Sequence, residues 1–307
     1  MSLHVSPAPH IRSRVNTQKI MLNVIIAMIP AAACGIYYFG YRAALMLAVS
    51  IASAVLAEFI WQKATRKPST VGDLSAVVTG MLLAMTITPT ASWWVAAIGS
   101  VFAIIVVKQL FGGIGDNFLN PALAARAVLL ASWPARLTAH IAVTQFPGID
   151  VVASATPLAG GEFTTMQLLL GQVPGAMGET CKVAIILGFL YLVISGTITF
   201  EVPVVTVGAA FIMGELLGMD GLTTILSGGI LFGAVFMATD YATSPMNRWA
   251  RIIYAVGIGC ITVLIRKFGA YPEGVTYAIL FMNILTPLLD RMLPNRVYGH
   301  SRKKEAK

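Results

Sequence analysis

Charge is scarce in this chain. Only 11% of its 307 residues are Asp, Glu, Lys or Arg, against about 25% in soluble domains. That scarcity excludes an ordinary soluble globular protein. Cysteine is scarce too. Cys34, Cys181 and Cys260 form no CxxC pair, and three thiolates cannot fill the four-cysteine shell of an ordinary iron–sulfur cluster. Each lies within or beside an apolar segment and reads as a small buried hydrophobe. Histidine gives no metal spacing: His4, His10 and His300 sit in polar tails, and His140 stands alone. No GxGxxG follows a strand, and Gly112, Gly113 and Gly115 lack the Lys-Ser/Thr of a Walker motif. A dinucleotide or Walker-type site is therefore not expected. The net charge of +8 collects in the termini and short loops, as in membrane proteins rather than as a nucleic-acid footprint.

Apolar residues are abundant instead: 57% of the chain, with a mean hydropathy of +0.80. Apolar runs of about 20 residues recur, the length that crosses a hydrocarbon core as a helix. Backbone in lipid must satisfy its own hydrogen bonds, so helices are the default. The expected class is an all-α polytopic membrane protein. Helices are predicted near 21–40, 42–63, 73–90, 92–111, 121–134, 181–200, 202–219, 222–240, 250–268 and 274–291. The fifth is short for a simple span; the others suffice. Residues 1–20 show no small-residue cleavage site after a short apolar core, so a cleavable signal is not expected.

About ten crossings place both termini on one side. Arg12, Arg14 and Lys19 in front, and Arg296, Arg302, Lys303, Lys304 and Lys307 behind, put that side in the cytoplasm. Lys63, Arg66, Lys67 and Arg248 then also face inward. The predicted organisation is a cytoplasmic tail (1–20), a first five-helix repeat (21–134), an extracytoplasmic loop (135–180), a second five-helix repeat (181–291) and a cytoplasmic basic tail (292–307). The loop holds Asp150, Glu162 and Glu179 against Arg136. Arg266 and Lys267 fall near an outer end and are read as snorkelling. Five spans per half would invert the second half. Val78–Ala84 is similar to Leu226–Phe232, and each is followed by a polar break, at 86–89 and 238–240. Inverted repeats with interrupted helices at the midplane are a transporter signature.

Three polar clusters interrupt the apolar pattern. In the first, Gly112, Gly113 and Gly115 allow sharp backbone turns before Asn117, Asn120 and Pro121. Asn120 suits an N-cap and Pro121 the first helical position. The positive end of that helix would suit an electron-rich ligand group, although a capped helix behind a glycine hinge explains the same residues. In the second, Asp240 ends an apolar helix among Thr239, Thr243, Ser244 and Pro245. An acid at membrane depth marks an ion or ligand path; an interfacial helix end is the plainer alternative. The third, Tyr271-Pro-Glu-Gly274 leading to Asn283, Thr286, Pro287 and Asp290, reads as a turn into a broken helix. Glu58, Lys108 and Glu215 are further isolated charges, with Lys108 explained at least as well by snorkelling.

Together these stretches resemble a known family. KQLFGGIGDNFLNPALAARAVLLASWP (108–134), DVVASATPL (150–158), FMATDYATSP (236–245) and LIRKFGAYPEGVTYAILFMNILTPLLDR (264–291) are similar to the D subunit of the Rnf ion-translocating ferredoxin:NAD oxidoreductase. They are also similar to the B subunit of the sodium-translocating NADH:quinone reductase. The tail Arg296-Val-Tyr-Gly299 favours the Rnf form. Within DVVASATPL, Asp150, Ala155 and Thr156 match the signature at which a flavin transferase attaches FMN to a threonine hydroxyl. Ala153 and Ser154 stand where Ser/Thr and Gly are usual.

The resemblance implies covalent FMN on Thr156 as a phosphoester, and a non-covalent riboflavin. The midplane breaks predict that this flavin sits between the halves near Asn117, Asn120, Thr239 and Asp240, with Thr243 beside them. It implies the A, B, C, E and G members of the Rnf complex as partners, a flavin transferase for maturation, a bilayer setting in the cell membrane, and Na⁺ or H⁺ as the moved ion. It also implies a fold similar to urea transporters. The rival classes are a non-redox solute channel or carrier of the same fold, and a scaffold subunit.

Overall fold

The computed structural model describes residues 16–139, 158, 163–269 and 274–294. Its regular structure is helical, with no strand among the described residues. Thirteen α-helices appear there. The first group comprises α1 (Thr17–Phe39), α2 (Tyr41–Ala64), α3 (Ser75–Thr86), α4 (Trp93–Phe102) and α5 (Pro121–Ser132). A π-helical stretch, Ala103–Gln109, prolongs α4. Short helices α6 (Pro134–Leu137) and α7 (Thr165–Leu170) follow. The second group comprises α8 (Lys182–Ile194), α9 (Glu201–Leu216), α10 (Gly221–Leu226), α11 (Ile230–Phe232), α12 (Arg248–Phe268) and α13 (Val275–Met292). Another π stretch, Gly233–Met237, prolongs α11.

Helix positions follow the apolar runs closely, but several helices are shorter than the runs. Among the described residues, α1, α2 and α12 are long and apolar enough to cross a membrane alone. At 12 residues, α3 reaches only about 18 Å, short of a hydrocarbon core of about 30 Å. The expectation that only the fifth span is short is thus corrected. The third run stops at Thr86 because Ile87 turns extended before Thr88 and Pro89. The run expected at 222–240 divides: α10 ends at an extended Ser227, and helix resumes after Gly228, whose φ is +61°. The polar breaks at 86–89 and 238–240 do end helices.

The third cluster is corrected as well. Among the described residues α13 is continuous through Pro287 rather than broken. Neighbouring helices tolerate a proline whose missing N–H would cost more in isolation. Thr286 donates to the Thr243 carbonyl at 2.9 Å, and Asp290 accepts from the Met246 N–H at 3.1 Å. Tyr271 to Glu273 lie outside the described residues.

The groups pack in a similar way. In the first, α2 lies on α3 and α4; in the second, α9 lies on α10 and α12. Small residues let the backbones approach. A Cβ on Gly80 of α3 would sit 2.8 Å from the Ile51 Cα of α2, and one on Gly259 of α12 would sit 2.6 Å from the Thr206 carbonyl of α9. Ser50 donates to the Gly80 carbonyl at 2.7 Å and shares a hydrogen bond of 2.8 Å with Ser100. The groups meet where α1 packs on α8 and α5 on α13.

The α1–α8 seam is tightest at Gly188, where a Cβ would strike the Ala27 carbonyl and approach the Phe236 ring. Backbone cannot yield there as a side chain would. Gly188→Ala is expected to destabilise the protein by about 1–3 kcal/mol, seen as a lower melting temperature in detergent. An unchanged melting temperature would show that the seam yields freely.

Candidate functional site

The glycine bend after α4 takes the form its residues suggest. Gly112, Gly113 and Gly115 have φ of +129°, +118° and +93°, values that other residues rarely adopt. The chain then reaches Asn120, whose side-chain oxygen accepts from the Ala122 and Leu123 N–H groups at 3.1 and 3.3 Å. Pro121 opens α5. The Asn120 amide also donates to the Met237 carbonyl at 3.4 Å, tying the cap to the second group. Asn283 strengthens the tie. With its amide turned so that both ends are paired, Asn283 accepts from the Asn120 N–H at 3.2 Å and donates to the Tyr254 hydroxyl at 2.7 Å.

A cleft opens between the two groups. Its cavity is about 90 Å³ and widens toward solvent. Asn117 and Asn120 line it from the first group, Thr239 and Asp240 from the second. Val78, Leu82, Ile114 and Phe236 supply apolar wall, and α1 closes one side with Met21 and Val24. Asp240 accepts from the Ala242 N–H and the Thr243 hydroxyl, both at 3.3 Å, so its carboxylate is held locally. Thr243 is buried behind Asp240 and does not line the cleft.

The cleft is also lined by Lys108, at the head of the glycine-rich stretch, and by Ser75, which the sequence does not single out. The expectation of a snorkelling Lys108 is corrected: its residue is 3% exposed. Its ammonium lies 3.0 Å from each Glu58 carboxylate oxygen and 2.5 Å from the Ser75 hydroxyl. Glu58 is fully buried. One of its oxygens, Oε1, also accepts from Gln109 at 2.9 Å, Gln62 at 3.1 Å and Thr70 at 3.2 Å. The widened π turn brings consecutive Lys108 and Gln109 to the same carboxylate. Glu58 and Lys108 are thus one pair rather than isolated charges.

The remaining isolated charges find partners too. Glu215 accepts from the Gly221 N–H at 2.9 Å, at the start of α10. Arg266 turns inward rather than snorkelling and donates to the Thr224 and Ser227 carbonyls at 2.6 and 3.0 Å. Lys267 donates to the Leu217 carbonyl at 3.2 Å. Glu179, expected among the loop charges, is buried 3.8 Å from the Arg126 guanidinium. Asp150, Ser154, Ala155 and Thr156, the flavinylation motif, lie outside the described residues.

A sequence model of the NQR2, RnfD, RnfE family matches residues 4–299. This chain belongs to that family. Full-length relatives agree. The chain is 47% identical to the D subunit of the Na⁺-translocating ferredoxin:NAD⁺ oxidoreductase complex of Acetobacterium woodii, over all of this chain and 99% of the relative. It is 38% identical to the D subunit of the proton-translocating ferredoxin:NAD⁺ oxidoreductase complex of Clostridium ljungdahlii, over 97% of this chain and 96% of the relative. It is 36% identical to the D subunit of the ion-translocating oxidoreductase complex of Stutzerimonas stutzeri, over 94% of each.

For this member of the NQR2, RnfD, RnfE family, the cleft supplies what a flat heteroaromatic ring needs. Apolar side chains can cover ring faces, while amide and hydroxyl groups can meet alternating donors and acceptors. Such sites combine mostly apolar walls with a few placed polar groups. Asn117 and Asn120 each use one amide N–H within the chain, on the Leu119 and Met237 carbonyls at 3.0 and 3.4 Å, and Thr239 donates to the Val235 carbonyl at 2.6 Å. The second N–H of each amide and the Thr239 oxygen are the groups that would meet the edge of an isoalloxazine.

Proposed function

We propose that this chain is the D-type membrane subunit of an ion-translocating ferredoxin:NAD oxidoreductase, with one flavin in the cleft and a second, FMN, esterified to Thr156. The family and the names of its relatives support the reading. The single observation that carries the site is the cleft, where Asn117 and Asn120 face Thr239 and Asp240 across the junction of the two groups. A bound flavin supplies one- and two-electron transfer; the protein positions it and tunes its electronics. Asn117, Asn120 and Thr239 orient the ring edge. Asp240 sets the local field or holds a cation, and the apolar walls exclude water, which strengthens both effects. The A, B, C, E and G members of the complex, and a flavin transferase, are the partners this role requires.

The matching packing of α2 and α9 supports ten spans arranged as two inverted five-helix repeats, with α10 and α11 counted as one span. In that arrangement both tails are cytoplasmic and the loop bearing Thr156 faces outward. A cysteine placed at Gly161 is then expected to react with an impermeant thiol reagent on intact cells. Labelling only after the membrane is broken would reverse the orientation.

The cleft is tested with Asp240→Asn. The variant is expected to retain less extractable non-covalent flavin or to lose stimulation of the assembled complex by its ion. Parallel assays in Na⁺ and in Na⁺-free buffer identify the ion. If flavin content and ion stimulation both equal those of the parent, Asp240 is only a helix end. A parent protein free of both covalent and extractable flavin would favour the non-redox carrier.

A further inference from the structure

The Asn120 side chain is largely committed before any ligand arrives. Its oxygen caps α5 through the Ala122 and Leu123 N–H groups, and one N–H of its amide reaches the Met237 carbonyl. An amide carries two N–H groups. The other is left for the cleft that Asn120 lines. Where that N–H points depends on the Asn120 backbone, and the backbone is gripped from outside the cleft.

The grip runs through two buried residues that do not line the cleft, Asn283 of α13 and Tyr254 of α12. The Asn120 backbone N–H faces the Asn283 amide at 3.2 Å, and only an amide oxygen can accept there. That orientation turns the Asn283 nitrogen toward the Tyr254 hydroxyl at 2.7 Å and the Ile279 carbonyl at 3.3 Å. Both N–H groups and the oxygen of Asn283 are then paired. A buried polar chain with every partner in place is rigid, whereas one stranded N–H is costly. Tyr254 anchors the chain with a hydroxyl on a stiff, fully buried ring.

We infer, on the reading that the cleft holds a flavin, that Tyr254 and Asn283 are positioning residues. They act through Asn120 and aim its remaining amide N–H at the edge of the bound ring. Neither touches the flavin itself. A hydrogen bond weakens steeply once the donor angle falls below about 120°, so a turned cap on α5 is felt as lost flavin affinity. The route also crosses the junction of the groups, since Asn120 belongs to the first and both supporting residues to the second.

The test uses the full-length protein in detergent, freed of non-covalent flavin and titrated with riboflavin by equilibrium dialysis. Melting temperature is followed in parallel. Tyr254→Phe keeps the ring and removes the hydroxyl. It should raise the riboflavin dissociation constant about tenfold, the usual scale for stranding one buried N–H. Asn120→Ser keeps a good cap but has no amide to aim. In that background Tyr254→Phe should change the dissociation constant by less than about twofold, whereas in a Thr239→Val background the full loss should persist. If Asn120→Ser abolishes measurable binding, Asn283→Ala supplies the comparison: adding Tyr254→Phe to it should weaken binding no further. An unchanged dissociation constant in Tyr254→Phe would overturn the proposal even where the melting temperature falls, because the hydroxyl would then serve the fold alone. An equal loss in the parent and Asn120→Ser backgrounds, or a further loss on top of Asn283→Ala, would overturn it too. A parent that binds no riboflavin would remove the flavin from the cleft, and with it the role of this pair.

Discussion

Thr156→Val is expected to abolish covalent flavin, leaving no fluorescent band in a denaturing gel. Valine keeps the branched shape of threonine but removes the hydroxyl that would form the phosphoester. The chain should still reach the membrane and purify in normal yield, because the substitution removes one hydroxyl and keeps the size of the side chain. Non-covalent flavin should remain, since the cleft draws on Asn117, Asn120, Thr239 and Asp240 rather than on Thr156. Ser154→Ala separates the two hydroxyls of the motif: it should retain the fluorescent band. A Thr156→Val protein with undiminished fluorescence would remove the site from this threonine.

Local chemistry is the legible part of this chain. Asn120 and Pro121 read as a helix start because capping and a fixed φ act within a few residues, and they open α5. The three glycines likewise read as a bend, and all have positive φ. Asn117, Asn120, Thr239 and Asp240 stand out because polar groups at helix breaks contrast with an apolar background. Their shared cleft is a tertiary fact. The split between α10 and α11 is less legible, since Leu226 to Phe232 is nearly as apolar as an intact helix. The continuity of α13 escapes a local reading because Pro287 removes one hydrogen bond nearby, whereas packing against α12 is non-local. The same limit hides the pairing of Glu58 with Lys108. A residue's own neighbours carry little information about a partner so distant in sequence.

Lys108→Met is expected to destabilise the protein by about 3–5 kcal/mol, the usual cost of removing one member of a buried ion pair. Glu58 cannot escape to solvent, being fully buried beneath α3 and the π turn. The variant leaves its Oε2 without the ammonium and the Ser75 hydroxyl without its donor. Removing both charges should behave differently. In Glu58→Gln/Lys108→Met, the glutamine oxygen can still accept from Gln62, Thr70 and Gln109, because all three donate to Oε1. Only Oε2, which accepts from Lys108 and not from Gln62, Thr70 or Gln109, changes to an amide nitrogen. The double variant should therefore recover at least half of the stability lost by Lys108→Met, measured as melting temperature in one detergent. Equal damage in the single and double variants would locate the loss in the packing of the lysine stem instead. A Lys108→Met protein as stable as the parent would mean that water already reaches Glu58. If the double variant regains stability but not its non-covalent flavin, Lys108 also contributes to the cleft directly, consistent with its place beside Ser75 in the cleft lining.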